Sequence, residues 1–314
     1  MPLDPQVSTL LEQLAASGTP SLEQLSVPEA RSLLARLAPL AGPVEEVAGV
    51  EDITVPGPGG PIPVRLYRPA GPVDGPPPLL VWLHGGGWVL GDLATADGTA
   101  RLLSNGSGAV VASVDYPLAP EHPYPASHEA CYAAVRWLAE HASAIGADPG
   151  RVAVGGDSAG GNLAAVVSLL ARDLGGPDLA FQLLVYPCTD ALMSHPSMVE
   201  NAEGFFLTRS AMRWFYGHYL GSAQDAAKEP TVSPLYADDL SGLPPALIIT
   251  AEFDPLRDEG EAYGRRLQEA GIPTAVSRYD GQIHGFLGLT MALDGGKRAM
   301  REACVALRSA LGAV

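Results

Sequence analysis

The chain has 314 residues, of which 47% are hydrophobic and 17% are charged, so it can bury a sizeable core and is not expected to be disordered. Acidic residues outnumber basic residues by 35 to 19, which gives a formal net charge of −16. No basic cluster offsets this charge, so the composition excludes nucleic acid as an expected partner.

The cysteines and the N-terminal residues indicate the cellular setting. The chain has three cysteines, Cys131, Cys188 and Cys304, which lie far apart in the sequence and form no C-x-x-C motif of the kind found in metal or redox sites. We therefore expect free thiols in the core. The first residues, MPLDPQVSTLLEQLAASG, lack the basic start of a signal peptide, and no apolar run approaches the length of a membrane span. We therefore expect a cytoplasmic protein with no membrane partner.

Two kinds of local pattern precede the main part of the chain. Residues 5–40 carry leucines at helical spacing, interrupted by Pro20 and Pro28, which predicts short amphipathic helices that cover another surface. Residues 49–69, GVEDITVPGPGGPIPVRLYRP, contain two β-prone runs around a Gly/Pro-rich turn and predict an antiparallel hairpin.

Short apolar runs then recur between residues 79 and 285, separated in several places by helical segments. Runs that are apolar at successive positions are typical of strands buried on both faces of a parallel sheet, so the alternation predicts a doubly wound α/β architecture. One of the helices is expected to end at a C-cap glycine, Gly271. Residues 189–242 interrupt the alternation with a connection far longer than usual, which makes this insertion a candidate lid.

The hexapeptide GDSAGG places Ser158 between glycines, after the strand-like RVAV and before the helix-like NLAAVVSLLAR. Alone, this pattern also fits a helix N-cap, because serine and aspartate are favoured there and glycine is a common turn residue. Between a strand and a helix it matches a nucleophile elbow, in which flanking glycines allow the two elements to approach closely. We interpret Ser158 as the nucleophile.

A serine hydroxyl needs a histidine base, which a carboxylate holds in the right tautomer. His284 follows a predicted strand and lies in a loop that can reach the serine. The other histidines have simpler interpretations: His84, His122 and His128 are expected to be structural, His141 lies in a predicted helix, and His195 and His218 lie in the insertion. The run ALIITAEFDPLRDEG offers four candidate carboxylates, Glu252, Asp254, Asp258 and Glu259. Asp254 is the better choice because it directly follows a strand, while Asp258 and Glu259 fall in a first helical turn, where the dipole favours acids anyway. The order Ser158, Asp254, His284 is that of the α/β-hydrolase triad.

The run WLHGGGWVLG follows another predicted strand and contains Gly85, Gly86 and Gly87. By themselves, three glycines indicate only a flexible loop or a phosphate cradle. With a nucleophile elbow downstream, their backbone N–H groups are the expected donors to the oxyanion of a tetrahedral intermediate, together with the N–H of Ala159. We interpret His84, which precedes these glycines, as a structural brace.

Five motifs occur in the order known from one protein family: HGGGW at 84–88, DYPLAPEHPYPA at 115–126, GDSAGGNLA at 156–164, DPLRDEG at 254–260 and HGF at 284–286. Through them, and across nearly its whole length, the chain resembles the bacterial hormone-sensitive-lipase-like family of α/β-hydrolase carboxylesterases. The resemblance implies an α/β-hydrolase fold, with a mostly parallel, twisted, eight-stranded sheet flanked by helices. It also implies a helical cap, no metal or organic cofactor, a homodimer formed through the edge strand, and oxyanion donors at Gly86, Gly87 and Ala159.

By the same resemblance, residues 1–45 contribute helices to the cap, residues 46–188 and 243–314 form the catalytic core, and residues 189–242 are the cap insertion. One position departs from the family pattern. An arginine usually follows the tyrosine of DYPLAPEHPYPA, but here Pro117 follows Tyr116. The change removes a side chain expected to brace this loop, and it does not affect the triad.

Aromatic residues near the insertion have two interpretations. Phe205, Phe206 and Trp214 either line an apolar substrate pocket or form the small core that lets the cap fold. Trp88, beside the oxyanion loop, is the stronger pocket candidate. All four are taken as predicted substrate-binding residues.

Together the motifs predict a serine carboxylesterase that hydrolyses short- to medium-chain acyl esters of small molecules through an acyl-enzyme intermediate. An amidase, peptidase, acyltransferase or lipase would use the same triad, and a non-catalytic ligand receptor would keep the same scaffold. The presence of Ser158, Asp254 and His284 together argues against the receptor.

Overall fold

One eight-stranded sheet organises the fold, in a computed structural model that describes residues 2–37, 44–71 and 75–312. The strands lie in the order β1-β2-β4-β3-β5-β6-β7-β8, and β3 to β8 run parallel to one another while β2 is antiparallel to both of its neighbours. Their bounds are Gly49–Gly57 (β1), Gly60–Arg68 (β2), Leu79–Leu83 (β3), Val110–Val114 (β4), Val152–Asp157 (β5), Phe181–Val185 (β6), Ala246–Phe253 (β7) and Thr274–Ile283 (β8). The predicted α/β-hydrolase fold is confirmed, and the predicted hairpin is β1 and β2.

Helices cover both faces of this sheet. In the described residues they are Pro5–Ala16 (α1), Val27–Leu37 (α2), Leu93–Ser107 (α3), Ala126–Glu140 (α4), Ala159–Asp173 (α5), Ser197–Glu200 (α6), Arg209–Leu220 (α7), Arg257–Glu269 (α8) and Asp294–Leu311 (α9). Helices α3 and α9 pack over one face, and α4, α5 and α8 over the other. Gly271, with a φ of +80°, follows the end of α8, as predicted for a helix terminus.

Strand β3 shows why the apolar runs are continuous. Its five residues are all buried. Leu79, Val81 and Leu83 belong to the core on the α5 face, while Leu80 and Trp82 belong to the core on the α9 face. Because successive side chains of a strand point to opposite faces, an uninterrupted apolar run is stable only where helices cover both.

The predicted N-terminal helices are α1 and α2, and residues 38–40 of the predicted stretch lie outside the described residues. Pro28 stands in the first turn of α2, where a missing backbone N–H costs nothing. The Oγ of Ser210, in α7, donates a hydrogen bond of 3.1 Å to the Glu23 carboxylate, which joins the N-terminal segment to the 189–242 insertion. The three cysteines are free and buried, as predicted.

Candidate active site

Ser158 occupies the sharp turn between β5 and α5. Its backbone has φ +57° and ψ −119°, a left-handed conformation that a non-glycine residue adopts only under constraint. A Cβ on Gly156 or Gly160 would overlap backbone carbonyl oxygens, including that of Leu83. Gly156 and Gly160 are therefore required, because the strand and helix backbones approach too closely at these two positions for any side chain.

The geometry distinguishes the two interpretations of Ser158. The residue stands at the N-cap position of α5, but its side chain makes no capping hydrogen bond. Instead, its Oγ lies 2.9 Å from Nε2 of His284. The Nδ1 of His284 lies 2.7 Å from Oδ2 of Asp254. The three side chains predicted from the sequence thus form one unbroken hydrogen-bonded series.

The sheet brings these three residues together. Ser158 follows β5, Asp254 follows β7 and His284 follows β8, so all three stand at the carboxyl edge of the parallel strands. Asp254 is fully buried, and its Oδ1 accepts a further hydrogen bond of 2.8 Å from the Leu256 N–H. The side-chain amide of Asn201, in the insertion, donates to the Asp254 carbonyl at 3.1 Å. Asp254 is thus held through its carboxylate, by Leu256 and His284, and through its backbone carbonyl, by Asn201.

The glycines at 85–87, which we call the HGGG loop, are not equivalent. The Gly85 N–H donates to Oδ1 of Asp157 at 3.0 Å, so this predicted oxyanion donor is already engaged. The N–H groups of Gly86, Gly87 and Ala159 donate to no acceptor within the part of the chain that the structure describes. Because the Gly85 N–H is engaged, the four candidate donors indicated by the local pattern are reduced to the three that the family resemblance implies. The local sequence pattern does not reveal the Asp157 carboxylate as the partner of Gly85.

His84 lies in a bracing position. Its Nδ1 is 2.7 Å from the Gly85 carbonyl oxygen, and its ring stacks on Tyr116 with centroids 4.4 Å apart. The Tyr116 hydroxyl donates to the His84 carbonyl at 2.7 Å. Burial lowers the pKa of His84, which keeps the imidazole neutral within this packing. The His84 ring thus packs between Tyr116 and the glycines of the HGGG loop, and supports that loop.

A cavity of about 700 Å³ opens above Ser158 and His284. Its wall is mainly apolar and comes from both the sheet side and the covering helices. The covering residues include Leu11 and Leu14 of α1, Leu33 and Leu34 of α2, and Met212 and Phe215 of α7. A ligand that reaches Ser158 therefore sits between the sheet edge and these helices.

The four predicted substrate-binding aromatics occupy different positions. Phe206 lines the cavity and is 42% exposed. Trp88 is fully buried and stacks on Tyr219 at 4.3 Å, so it packs beneath the oxyanion loop and does not line the cavity wall. Phe205 packs against Phe253, and Trp214 packs against Phe215 and His218, with neither in the cavity wall.

Sequence reasoning did not single out Tyr186. This residue follows β6, has a φ of +34°, lines the cavity and places its ring 4.6 Å from that of His284. The available signal was its position at the end of a buried strand, at the same sheet edge as the other site residues.

The distribution of His, Cys, Asp and Glu side chains bears on metal binding. In residues 2–37, 44–71 and 75–312, no group of three or more of them is placed to hold a metal ion. No helix within those ranges combines the length and the apolar character needed to cross a membrane.

Known proteins resemble this chain over most of its length. A family model described as alpha/beta hydrolase fold matches residues 80–288. Carboxylic ester hydrolase LipN of Mycobacterium tuberculosis is 52% identical over 272 residues, which span 84% of this chain and 71% of that protein. An arylesterase of Saccharolobus solfataricus is 38% identical over 290 residues, 92% and 93% of the two chains. The crystal structure of an α/β hydrolase enzyme from the metagenome of Lake Arreo, Spain, matches with a TM-score of 0.95 over 99% of both chains, at 43% identity.

The sheet order and the turn that carries Ser158 define the class of the protein as an α/β hydrolase. Within that class, the chain belongs to the hormone-sensitive-lipase-like family of α/β-hydrolase carboxylesterases.

Proposed function

We propose that the protein is a serine carboxylesterase that hydrolyses short- to medium-chain acyl esters of small molecules, with Ser158 as nucleophile, His284 as general base and Asp254 as its partner. The observation that carries this proposal is the hydrogen-bonded series from Asp254 through His284 to Ser158 at the floor of an apolar cavity. Ester hydrolysis is also the activity named for LipN and for the arylesterase relative.

The first half of the reaction acylates the enzyme. Nε2 of His284 accepts the hydroxyl proton of Ser158 as Oγ attacks the ester carbonyl carbon. The carbonyl oxygen becomes an oxyanion, which the N–H groups of Gly86, Gly87 and Ala159 are free to bind. The intermediate collapses when the C–O bond to the alcohol breaks, and His284 returns the proton to the leaving oxygen.

The second half hydrolyses the acyl-enzyme. A water molecule replaces the alcohol, loses its proton to His284 and attacks the acyl carbon, and the acid leaves as Ser158 recovers its proton. Asp254 accepts the Nδ1–H of His284 in both halves of the reaction. It holds His284 in the tautomer that leaves Nε2 free to accept, and it stabilises the imidazolium that forms.

The cavity supports the proposed substrate range. A volume of about 700 Å³ lies within the usual range for small-molecule sites. Each methylene of the acyl chain that is buried against the apolar wall contributes about 0.8 kcal/mol to the free energy of binding until the cavity is filled. We therefore expect kcat/KM for aryl esters to rise from the acetate to a medium acyl chain and then to fall.

A fluorophosphonate titration with a paired substrate assay tests this proposal. We expect one equivalent of adduct, located on Ser158 by mass spectrometry, and faster cleavage of p-nitrophenyl butyrate than of the matching amide, p-nitrobutyranilide. An adduct elsewhere would contradict the assignment of the nucleophile, and faster amide cleavage would indicate an amidase. Acyl transfer to an added alcohol that outpaces hydrolysis would indicate an acyltransferase. Activity that rises at the surface of long-chain triglyceride emulsions would indicate a lipase.

A further inference from the structure

A single guanidinium connects three segments around the site. Arg31, in α2, donates through Nε to the carbonyl oxygen of Val89 at 2.9 Å. Its Nη2 donates to the Ala119 carbonyl at 3.1 Å and to Oε2 of Glu121 at 2.7 Å, and its Nη1 donates to Oε1 of Glu121 at 2.8 Å. We call residues 84–90, which comprise His84, the HGGG loop and its continuation to Leu90, the oxyanion turn. Arg31 of the N-terminal segment thus binds both the oxyanion turn and the loop that contains Ala119 and Glu121.

The two carbonyls that Arg31 binds belong to one connected piece of backbone. In the oxyanion turn, the N–H groups of Val89 and Leu90 both donate to the Gly86 carbonyl, at 3.1 and 2.8 Å. The Ala119 N–H donates to the Trp88 carbonyl at 2.9 Å, which ties the neighbouring loop to this turn. A displacement of Val89 or Ala119 therefore acts on the peptide unit that contains the Gly86 carbonyl and the Gly87 N–H.

On the other side, Arg31 belongs to the cavity wall through its own helix. Ala30, Leu33 and Leu34 of α2 all line the cavity. Arg31 makes four hydrogen bonds from the middle of the helix, and they fix α2 relative to the oxyanion turn.

We propose that Arg31 is a positioning residue, which holds the oxyanion turn and the α2 wall of the cavity in one fixed alignment. The proposal rests on the proposed function, because it gives the Gly86 and Gly87 N–H groups their role in binding the oxyanion. It also bears on the departure from the family pattern at Pro117, which offers no side-chain donor to its loop: the guanidinium that binds this loop comes from α2.

The positioning effect of Arg31 depends on the directions in which its guanidinium donates hydrogen bonds and not on its charge. The side chains of Arg31 and Glu121 are 32% and 54% exposed, and an ion pair this accessible to water contributes little. The Val89 and Ala119 carbonyls lie in different directions from the Glu121 carboxylate, and a planar guanidinium serves all three at once. A lysine has one compact ammonium group and cannot reproduce this fork.

The test compares four variants: Arg31→Gln, Arg31→Lys, Glu121→Gln and, as a matched control, Arg36→Gln, which removes an exposed arginine from the same helix. For each variant, kcat, KM and the pH profile are measured on p-nitrophenyl acetate and butyrate, well below the measured melting temperature. Misplaced oxyanion donors should lower kcat about tenfold on both esters with the shape of the pH profile retained, in Arg31→Gln and also in Arg31→Lys. Glu121→Gln and Arg36→Gln should stay within about twofold of wild type.

Two results would overturn the inference. If Arg31→Gln lowers only the melting temperature and keeps kcat, the residue is merely structural; if that variant does not fold, an Arg31→Lys enzyme with wild-type kcat leads to the same conclusion. If Glu121→Gln reproduces the loss, the ion pair and not the fork is responsible. Failure of the proposed function is recognised separately, since the wild type would then show no ester hydrolysis that depends on Ser158.

Discussion

The side chain of Asp157 and the backbone of Gly85 are joined by a hydrogen bond of 3.0 Å, although 72 positions separate the two residues in the chain. The bond ties the residue that precedes Ser158 to the first glycine of the HGGG loop. Burial raises the pKa of the Asp157 carboxyl to about 6, against the opposing effects of the Gly85 N–H and of His284. We therefore expect this carboxyl group to change its ionisation state near pH 6.

We expect Asp157→Asn to alter the pH dependence of stability in one direction. The pKa of Asp157 is about 6 in the folded protein against an ordinary 3.8, so as pH rises between these values the unfolded chain loses its proton first and wild type loses stability. Asparagine keeps an oxygen that can accept from Gly85 but does not ionise. The melting temperature of the variant should therefore rise relative to wild type as the pH increases through this interval.

Thermal unfolding of both proteins from about pH 4 to about pH 7 measures this difference. Asp238→Asn, which changes an exposed aspartate, is the matched control. A difference in melting temperature between Asp157→Asn and wild type that stays constant across the series would show that Asp157 does not titrate in this way.

Ser158→Ala should abolish turnover and leave the fold intact, because it removes the nucleophile and a single hydroxyl. The expected loss in kcat is at least about a thousandfold, with a residual rate supplied by the oxyanion donors and substrate binding. Steady-state assays with p-nitrophenyl butyrate, together with a melting curve, provide the measurement. A folded variant that retains a tenth of the activity, a change of only about 1.4 kcal/mol in the barrier, is incompatible with the assignment.

His284 and His84 should respond differently to substitution. Activity should fall on the acidic side because a protonated His284 cannot accept the Ser158 proton, and His284→Ala should remove nearly all turnover. His84→Asn should weaken the support of the HGGG loop, and therefore stability, while the acidic limb of the pH profile remains. Rate profiles of the two variants decide the matter. The base is wrongly assigned if His84→Asn abolishes the acidic limb and His284→Ala preserves it.

Gly160→Ala should destabilise the protein, because the added Cβ would overlap the Leu83 carbonyl oxygen and neither β3 nor α5 can move freely. A loss of at least about 2 kcal/mol is expected in the free energy of unfolding, measured by urea denaturation. Gly217→Ala is the matched control: this glycine lies in α7 with open space around its Cβ position, and the change should stabilise by about 0.5–1 kcal/mol. Equal effects of the two substitutions would disprove the close approach at Gly160.

Leu34→Trp should shift the substrate preference towards short acyl chains, because a larger ring at this position reduces the apolar space above Ser158. The ratio of kcat/KM for p-nitrophenyl hexanoate to that for the acetate should fall about tenfold, roughly the contribution of two buried methylenes. Ser32→Trp places the same ring on the exposed side of α2 and should leave the ratio unchanged. An unchanged ratio in Leu34→Trp would mean that the acyl chain does not lie against α2.

Sequence alone was sufficient where the physical requirement is local. The glycines around Ser158 predict the elbow because the strained turn and the close approach of Gly160 to β3 demand small residues at fixed spacing. The apolar runs predict a sheet covered on both faces because a strand alternates its side chains. Asp254 and His284 could be selected because each directly follows a strand, and the ends of parallel strands meet at one edge.

Only the tertiary structure decided which side chains from distant parts of the chain come into contact. It showed that the Gly85 N–H is bound by Asp157, that Trp88 packs against Tyr219 away from the cavity, and that Arg31 reaches Val89 and Ala119. These contacts join residues that are 58 to 131 positions apart in the chain. The sequence around each residue does not determine whether its side chain is exposed to solvent or which part of the core it contacts. Which residues come into contact depends on how the helices pack on the sheet. Side-chain packing and hydrogen-bond direction act between surfaces that meet only in the folded chain.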